Sequence, residues 1–373
     1  MARMAGQRRR GDPVLHRAIR EIVVEHRDEW LPGLAGGSEV RLRELSDRPR
    51  CRMLTVTVGD AAVPQLLAKV RRDAAPQPAG RPTLATGVLS AAELSALEHD
   101  GLCLIAEQVS GDDRFAAVRP VAHLPEHRTV LMEYVEADTL RDRLVRESRV
   151  HRLAHRRATE PTAMEVWSAV GGWLALHQRA VPPDGLPARQ QTREAVLAHL
   201  EACGGFLDQH LGTRAVGDVV ARASRFVALA LPATLELAVG HGDFAPRNVF
   251  ALDDGRVAVF DPLFRWAVPR HEDLCRFLVG LRLSGLALHS HGLAHPSGHL
   301  EAIETAVIRG YAPDGDPARE QLRAYGLLIL IDKWTALVAS SRTGLGRLRR
   351  GPLRLASSHL RGEVDRLLQA AED

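Results

Sequence analysis

The densest chemistry in this sequence lies between residues 241 and 261. His241-Gly242-Asp243-Phe244-Ala245-Pro246-Arg247-Asn248 leads into Val249-Phe250, a turn at Asp253-Asp254-Gly255, and then Val257-Ala258-Val259-Phe260-Asp261. The pattern reads as a loop entering a β-hairpin. Asp243 and Asn248 mark the start and end of the loop, and the hairpin returns Asp261 beside Asn248. Two oxygen ligands facing each other across a hairpin suit Mg²⁺, which takes one or two protein oxygens and keeps the rest of its shell for water and phosphates. A second carboxylate just upstream can accept a hydroxyl proton and aim the oxygen in line at a γ-phosphate. Phosphoryl transfer asks mostly for positioning and charge neutralisation, and these three residue types supply both. Singly, each would read as a turn cap or a strand-end polar residue; the joint spacing carries the chemistry.

Lysine usage is the second signal. Of 49 basic residues only Lys69 and Lys333 are lysine. Where any cation suffices this chain uses arginine, so a retained lysine points to a need for a compact ammonium. Lys69 lies in the strand-like Leu66-Leu67-Ala68-Lys69-Val70. Lys333 lies in a C-terminal helix beside Asp332, where a local ion pair is expected.

The elements that must position these residues follow from periodicity. A helix is predicted over 13–29, with Val14, Leu15, Ile19, Ile22 and Val23 as its apolar stripe. Pro32, Gly33, Gly36 and Gly37 break the chain. Strands over 40–45, 51–58 and 65–70, with turns at Ser46–Arg50 and Gly59-Asp60, read as an antiparallel meander. A Pro/Ala/Gly-rich loop covers 74–82. A helix over 90–99 has Ser90 and Glu93 in capping-box register. Strands fit 117–123 and 129–135. Beyond Asp138 the pattern turns helical, over about 139–155, 162–180, 190–203, 214–230, 272–287, 300–311, 317–340 and 356–371, with a β-rich island at 249–261. Glu272 and Asp273, at the start of one of these helices, read as dipole and capping residues. The fold class is therefore α+β in two parts: a β-rich first part and a mainly helical second part, joined near Val135. The division reads as an N-terminal helical extension over 1–37, a small lobe over 38–135 and a large lobe over 136–373.

The 241–261 segment resembles the catalytic loop of the aminoglycoside phosphotransferase/choline kinase family, whose usual form is HGD, then a short spacer to Asn, then a strand ending in Asp. Glu272-Asp273-Leu274 is similar to that family's downstream DLA segment. Trp173-Leu174-Ala175-Leu176-His177 is similar to its LxxLH helix end, and Val130-Leu131-Met132-Glu133-Tyr134-Val135 to its hinge strand. The resemblance spans about residues 39–285. It implies a protein-kinase-like two-lobed fold and transfer of the ATP γ-phosphate to a hydroxyl of a small molecule. It further implies Asp243 as the base, Asn248 and Asp261 on Mg²⁺, and Lys69 on the α/β-phosphates. Glu93 would orient that lysine, with Glu98 as the alternative, and the backbone at Glu133 and Val135 would take the adenine. His177 and His241 are expected to be packing or loop-supporting residues. The chain departs from the pattern in three places. No glycine occurs in the turn 46–50, where Ser46 could still offer a hydroxyl and an N–H to phosphate. Arg247 stands where many relatives carry glycine, and Pro262-Leu263 replaces the common Trp-Glu.

Composition bounds the alternatives. Of 373 residues, 45% are hydrophobic and 25% charged, with a net charge of +3, which suits a chain with a real core and no nucleic-acid bias. No apolar run approaches a bilayer span; Leu327–Ile331 stops at Asp332 and Lys333. Arg8, Arg9 and Arg10 are not followed by an apolar stretch, so no signal peptide is read and a cytoplasmic protein is expected. The four cysteines are read as reduced structural thiols, without CxxC or His/Cys ligand spacing. The arginine- and histidine-rich stretch 141–157 reads as a solvated helix face. A nucleotide-binding regulator is disfavoured by the intact Asp243, and a protein kinase by the missing glycine-rich loop and activation segment. The segments around the loop carry Arg247, Arg265, Arg270 and His271, which fits a neutral or anionic acceptor better than a polycation.

Overall fold

The computed structural model describes residues 13–33, 39–73, 80–84, 89–155, 160–180, 186–211, 214–283, 286–315, 318–340 and 350–369. The loop read over 74–82 lies largely outside these residues, as do Arg8–Arg10, Gly36 and Gly37. The chain divides into two compact units. Among described residues the first holds those up to 73, 89–99 and 118–135, and the second holds 80–84, 100–117 and everything from 136 onward.

In the first unit, α1 (Pro13–Glu25) and α2 (Arg27–Trp30) precede β1 (Val40–Arg48), β2 (Cys51–Val58) and β3 (Leu66–Arg71). Helix α3 (Ala91–Val109) follows, its first turns in this unit; after β4 (Phe115–Ala117), which belongs to the second unit, come β5 (Pro120–Leu124) and β6 (Thr129–Glu133). The sheet order is β1-β2-β3-β6-β5, with every pairing antiparallel. The β-branched run Thr55-Val56-Thr57-Val58 favours extended backbone and feeds Val56 and Val58 to the core. Helix α1 presents Leu15, Ile19 and Val23, four residues apart, to Val40, Leu54, Val56, Leu66 and Leu131. The segment read as an extension therefore completes the core of this unit: the sheet's apolar face needs a helix to cover it. Helix α3 runs ten residues past its predicted end at His99, and the division between the units falls within it.

The second unit is mainly helical. Its elements are β7 (Asp138–Thr139), α4 (Leu140–Glu147), α5 (Arg149–His155), α6 (Met164–His177), α7 (Arg193–Leu211), α8 (Arg214–Ala230), β8 (Leu237–Val239), β9 (Val249–Ala251), β10 (Val257–Val259), β11 (Ala267–Pro269), α9 (Glu272–Arg282), α10 (Leu286–Ser290), α11 (His299–Tyr311), α12 (Arg319–Ser340) and α13 (Arg350–Gln369). A small sheet runs β4-β10-β9-β7, with β4 parallel to β10, and β11 pairs with β8. The apolar run Leu327–Ile331 is buried on all sides within α12, which explains its composition; among the described residues no helix is long and apolar enough to cross a membrane.

Helices α6 and α11 approach to backbone contact. A Cβ on Gly171 would lie 1.9 Å from the carbonyl oxygen of Val307, and one on Gly310 would lie 1.8 Å from that of Ser168. Neither oxygen can move without breaking its helix. Gly171→Ala is expected to cost about 3 kcal/mol, at the upper end of overpacking penalties. Gly205→Ala on α7, where a Cβ meets nothing within 4 Å, should instead be neutral or gain about 0.5–1 kcal/mol from helix propensity. Urea unfolding midpoints measure both; similar shifts for the two variants would refute the close-approach account.

Candidate active site

In the second unit, β8 ends at Val239 and the chain turns through Gly240 to Ala245 into a short 3₁₀ turn, Pro246–Asn248, before β9. Gly242 has φ +83, and a Cβ there would sit 2.5 Å from the carbonyl oxygen of Leu263, so glycine is required on both counts. The loop is fixed by few, well-buried bonds. The His241 N–H donates to Asp273 Oδ2 at 2.6 Å, and the Leu263 N–H donates to the His241 carbonyl at 2.8 Å. The Asp243 N–H donates to His241 Nδ1 at 3.3 Å. That bond requires an unprotonated Nδ1, and burial pushes the His241 pKa down to about 4, so the ring is neutral. Trp173, Phe244 and Phe264 pack around it. His177, at the end of α6, stacks on Trp173 and Phe264 and meets Gln108 Oε1 at 2.9 Å; burial lowers its pKa to about 3.

Asp273 is the residue that sequence reasoning missed. Its position at the start of α9 gave it and Glu272 a dipole and capping role. Instead both are buried, and Asp273 accepts the loop's backbone N–H. Burial, with Glu272 beside it, raises the Asp273 pKa to about 6. Glu272 is paired with Arg189 and accepts from Arg276 at 2.7 and 2.8 Å. No signal in the local sequence separates a buried loop anchor from an exposed capping residue; the ion partners come from distant segments.

Asp243 is gripped by its own loop. Arg247 Nη2 lies 2.5 and 2.6 Å from its two carboxylate oxygens. Asn248 Nδ2 donates to the Asp243 carbonyl at 2.8 Å and to Oδ2 at 3.0 Å. The amide nitrogen of Asn248 is thus turned toward Asp243, which leaves its Oδ1 as a donor for a cation. In the hairpin, Val249 faces Val259 and the Phe260 N–H donates to the Asn248 carbonyl at 3.0 Å. Asp261 follows directly, so Asn248 and Asp261 share one end of the hairpin. Asp261 has φ +59, a left-handed conformation that a non-glycine residue holds at a cost of roughly 1 kcal/mol or more. An amide oxygen and a carboxylate at one hairpin end form a donor set that fits Mg²⁺.

In the first unit, Lys69 lies on β3 between Met53 of β2 and Val130 of β6. Its Nζ meets Glu98 Oε1 at 2.6 Å, with both side chains buried, and Arg71 Nε donates to Glu98 Oε2 at 2.8 Å. The expectation of Glu93 as the lysine's partner is corrected here: the glutamate on Lys69 is Glu98. Glu93 closes the capping box, accepting from the Ser90 N–H and Oγ at 2.8 Å while its own N–H donates to Ser90 Oγ at 3.2 Å. At about 100° per residue, five positions carry the side chain well round the helix, so one glutamate caps and the other faces the sheet. The expected placement of Ser46 in the first turn is also corrected. Strand β1 continues to Arg48, the turn is Pro49-Arg50, and Ser46 stands in the strand opposite Met53, beside a bulge at Glu44/Ser46. Its buried Oγ makes no hydrogen bond. Along the hinge strand the Glu133 N–H donates to Arg119 and the Tyr134 N–H to Gln65, at 2.8 and 2.9 Å; among the described residues the Val135 N–H makes no backbone hydrogen bond.

No protein-family profile matches the sequence, and no curated protein matches it significantly. Solved structures do. A macrolide 2'-phosphotransferase from Brachybacterium faecium is 15% identical, with 93% of this chain and 98% of that chain aligned at a TM-score of 0.51. A spectinomycin phosphotransferase, solved with ADP and spectinomycin, is 12% identical over 95% and 98% at 0.52. A glucosamine kinase, solved with glucosamine, ADP and inorganic phosphate, is 18% identical over 89% and 82% at 0.54. The chain has the protein-kinase-like α+β fold that these small-molecule phosphotransferases share.

A buried neutral histidine makes stability depend on pH in a defined direction. With a folded pKa near 3 and an unfolded value of 6.5, His177 contributes fully above pH 6.5, and that stability is lost as the pH falls because the unfolded chain takes up the proton first. Between pH 6.5 and 5 this amounts to ~2 kcal/mol. Urea denaturation at both pH values should show the wild type losing about that much more than His177→Gln, whose side chain does not titrate. Equal losses would contradict the burial of a neutral ring.

Proposed function

We propose that the chain is an ATP-dependent phosphotransferase that moves the γ-phosphate to a hydroxyl group of a small molecule. The observation that carries this reading is the arrangement of Asp243 and Asn248 on one loop with Asp261 at the same end of the hairpin, in a fold shared with known phosphotransferases. Asp243 is the base. A carboxylate accepts about four hydrogen bonds, and Arg247 and Asn248 leave room on this partly exposed group for an acceptor hydroxyl. As the acceptor oxygen attacks phosphorus, its proton passes to Asp243 while Asn248 and Arg247 hold the carboxylate's orientation. Asn248 and Asp261 would hold Mg²⁺, which when bound neutralises phosphate charge. Lys69, oriented by Glu98, supplies an ammonium for the nucleotide's phosphates, and the N–H of Val135, which makes no backbone hydrogen bond among the described residues, suits an adenine nitrogen.

The acceptor is proposed to be neutral or anionic. Of the arginines near the loop, Arg270 is engaged by Glu236 at 2.5 Å and Arg265 lies over Trp266 at 4.3 Å. Arg247 reaches Asp243 itself, and Lys333 on α12, whose charge acts on its neighbour Asp332, acts at Asp243 as well. Two cations at the base repel a polyamine and attract a carboxylate or phosphate.

Asp243→Asn should lower kcat by ~10²–10⁴ with ATP binding nearly unchanged, the scale of general-base and positioning effects. Acceptor-stimulated ADP release measures it; turnover within a few-fold of wild type would remove Asp243 as the base. Glu98→Gln should raise the KM for ATP at least 10-fold, because it leaves Lys69 and Arg71 without their shared carboxylate, whereas Glu93→Gln should leave the KM within two-fold. Reversal of that order would return the assignment to Glu93. In a panel of hydroxyl compounds, acidic and neutral acceptors should turn over faster than aminoglycoside-like polyamines, and Lys333→Ala should raise the KM of acidic acceptors alone. Turnover confined to the polyamines would overturn the acceptor reading.

A further inference from the structure

Away from the catalytic loop, three side chains that bind transition metals converge between α7 and α12. His199 and Cys203 are four residues apart on one face of α7, and Asp332 comes from α12. One ligand atom from each lies within 4.8 Å of the other two. His199 Nε2 is 3.3 Å from Cys203 Sγ and 3.4 Å from Asp332 Oδ1. Tetrahedral zinc, with bonds of ~2.0 Å to nitrogen and oxygen and ~2.3 Å to sulfur, separates its donors by ~3.3 Å for N and O and ~3.5 Å for N and S. The spacing already present matches that set of edges.

Hydrogen bonding holds the cluster only loosely, through contacts of 3.3 and 3.4 Å. One ring nitrogen carries at most one proton. If Nε2 is protonated it can donate well to sulfur or to the carboxylate, not to both. If it is unprotonated, the thiol can donate to it, and Oδ1 then faces a lone pair. Asp332 is more than nine-tenths buried, and its Oδ1, aimed into the cluster, has only the long 3.4 Å contact to His199 Nε2. A buried carboxylate oxygen held this loosely gains from a closer partner. Arg81 approaches the other oxygen, Oδ2, at 3.8 Å and leaves Oδ1 open.

We propose that His199, Cys203 and Asp332 form a binding site for a thiophilic divalent cation of the zinc class, with a fourth position open to water. The inference stands independently of the proposed catalytic activity. Binding forms one bond each from Nε2, Sγ and Oδ1, and the Cys203 thiol gives its proton to solvent as the metal–sulfur bond forms. Loaded, a dication with a thiolate and a carboxylate is electroneutral, which suits a buried site beside Arg81. Magnesium is excluded by the thiolate and imidazole donors. The ion would crosslink α7 to α12, the helix that carries Lys333. The sequence reading, alert to CxxC, passed over a His-x-x-x-Cys spacing on a helix because its third ligand lies far along the chain.

The test uses the full-length, reduced chain, stripped with chelator and titrated with Co²⁺ in the absence of nucleotide. Wild type should bind one equivalent with thiolate-to-cobalt charge transfer and the intense ligand-field absorption of a four-coordinate ion, and Zn²⁺ should displace it. Cys203→Ser should abolish the charge transfer and weaken Zn²⁺ binding at least 100-fold. His199→Gln, at a side chain that is only partly buried, should weaken it at least 10-fold with the fold intact, and so decides the matter if the serine variant does not fold. Zn²⁺ should raise Tm in the wild type and not in His199→Gln. Absence of charge transfer at saturating cobalt, or its persistence in Cys203→Ser, would overturn the proposal.

Discussion

One buried hydrogen bond organises the segment proposed to be catalytic: the His241 N–H to the carboxylate of Asp273. A carboxylate without solvent is expensive, and this one is supported by the charges of Arg276 and Arg189 and by the N–H it accepts, against the like charge of Glu272. The bond fixes where the loop leaves β8. His241 then passes the constraint on through Nδ1 to the Asp243 N–H, and its ring is locked by Trp173, Phe244 and Phe264. The position of Asp243 is therefore set by the packing of α6 and α9, not by the loop's own preferences. Precision of this kind comes from rigid elements behind a short loop.

The same logic sets the chemistry apart from its scaffold. Groups that hold the loop are buried and neutral or internally paired, as His241, His177 and Glu272 are. Groups proposed to act are half-exposed and hydrogen-bonded along one edge only, as Asp243 is. The left-handed backbone at Asp261 belongs to the second set. Strain persists where the surroundings over-determine it, and here a hairpin on one side and the Leu263–His241 bond on the other hold it in place.

Arg247 gives this site a character of its own. A guanidinium on the proposed base would compete with an acceptor for the same oxygens, and it keeps the carboxylate from rotating. With Lys333 nearby on α12, it biases the region around Asp243 toward negative partners. The charge class of the acceptor would then be selected by repulsion of cations as much as by attraction of anions.

The sequence by itself determined the loop-hairpin grammar: the Asp243–Asn248 spacing, the turn at Asp253-Asp254-Gly255 and the return to Asp261 are local, and local turn and strand preferences suffice to place them. It also determined the β-rich first part, the helical remainder and the singular Lys69. Only the tertiary structure decided which helix glutamate meets that lysine, because Glu93 and Glu98 lie on different sides of the helix and only its packing shows which side faces β3. It likewise decided that Ser46 stands within a strand, that α1 completes the first unit's core, and that Glu272 and Asp273 are buried. Each depends on partners tens of residues away, and burial is a property of the packed chain that adjacent residues do not encode. The convergence of His199, Cys203 and Asp332 is the extreme case: two ligands share a helix face, and the third arrives only when α12 packs against it.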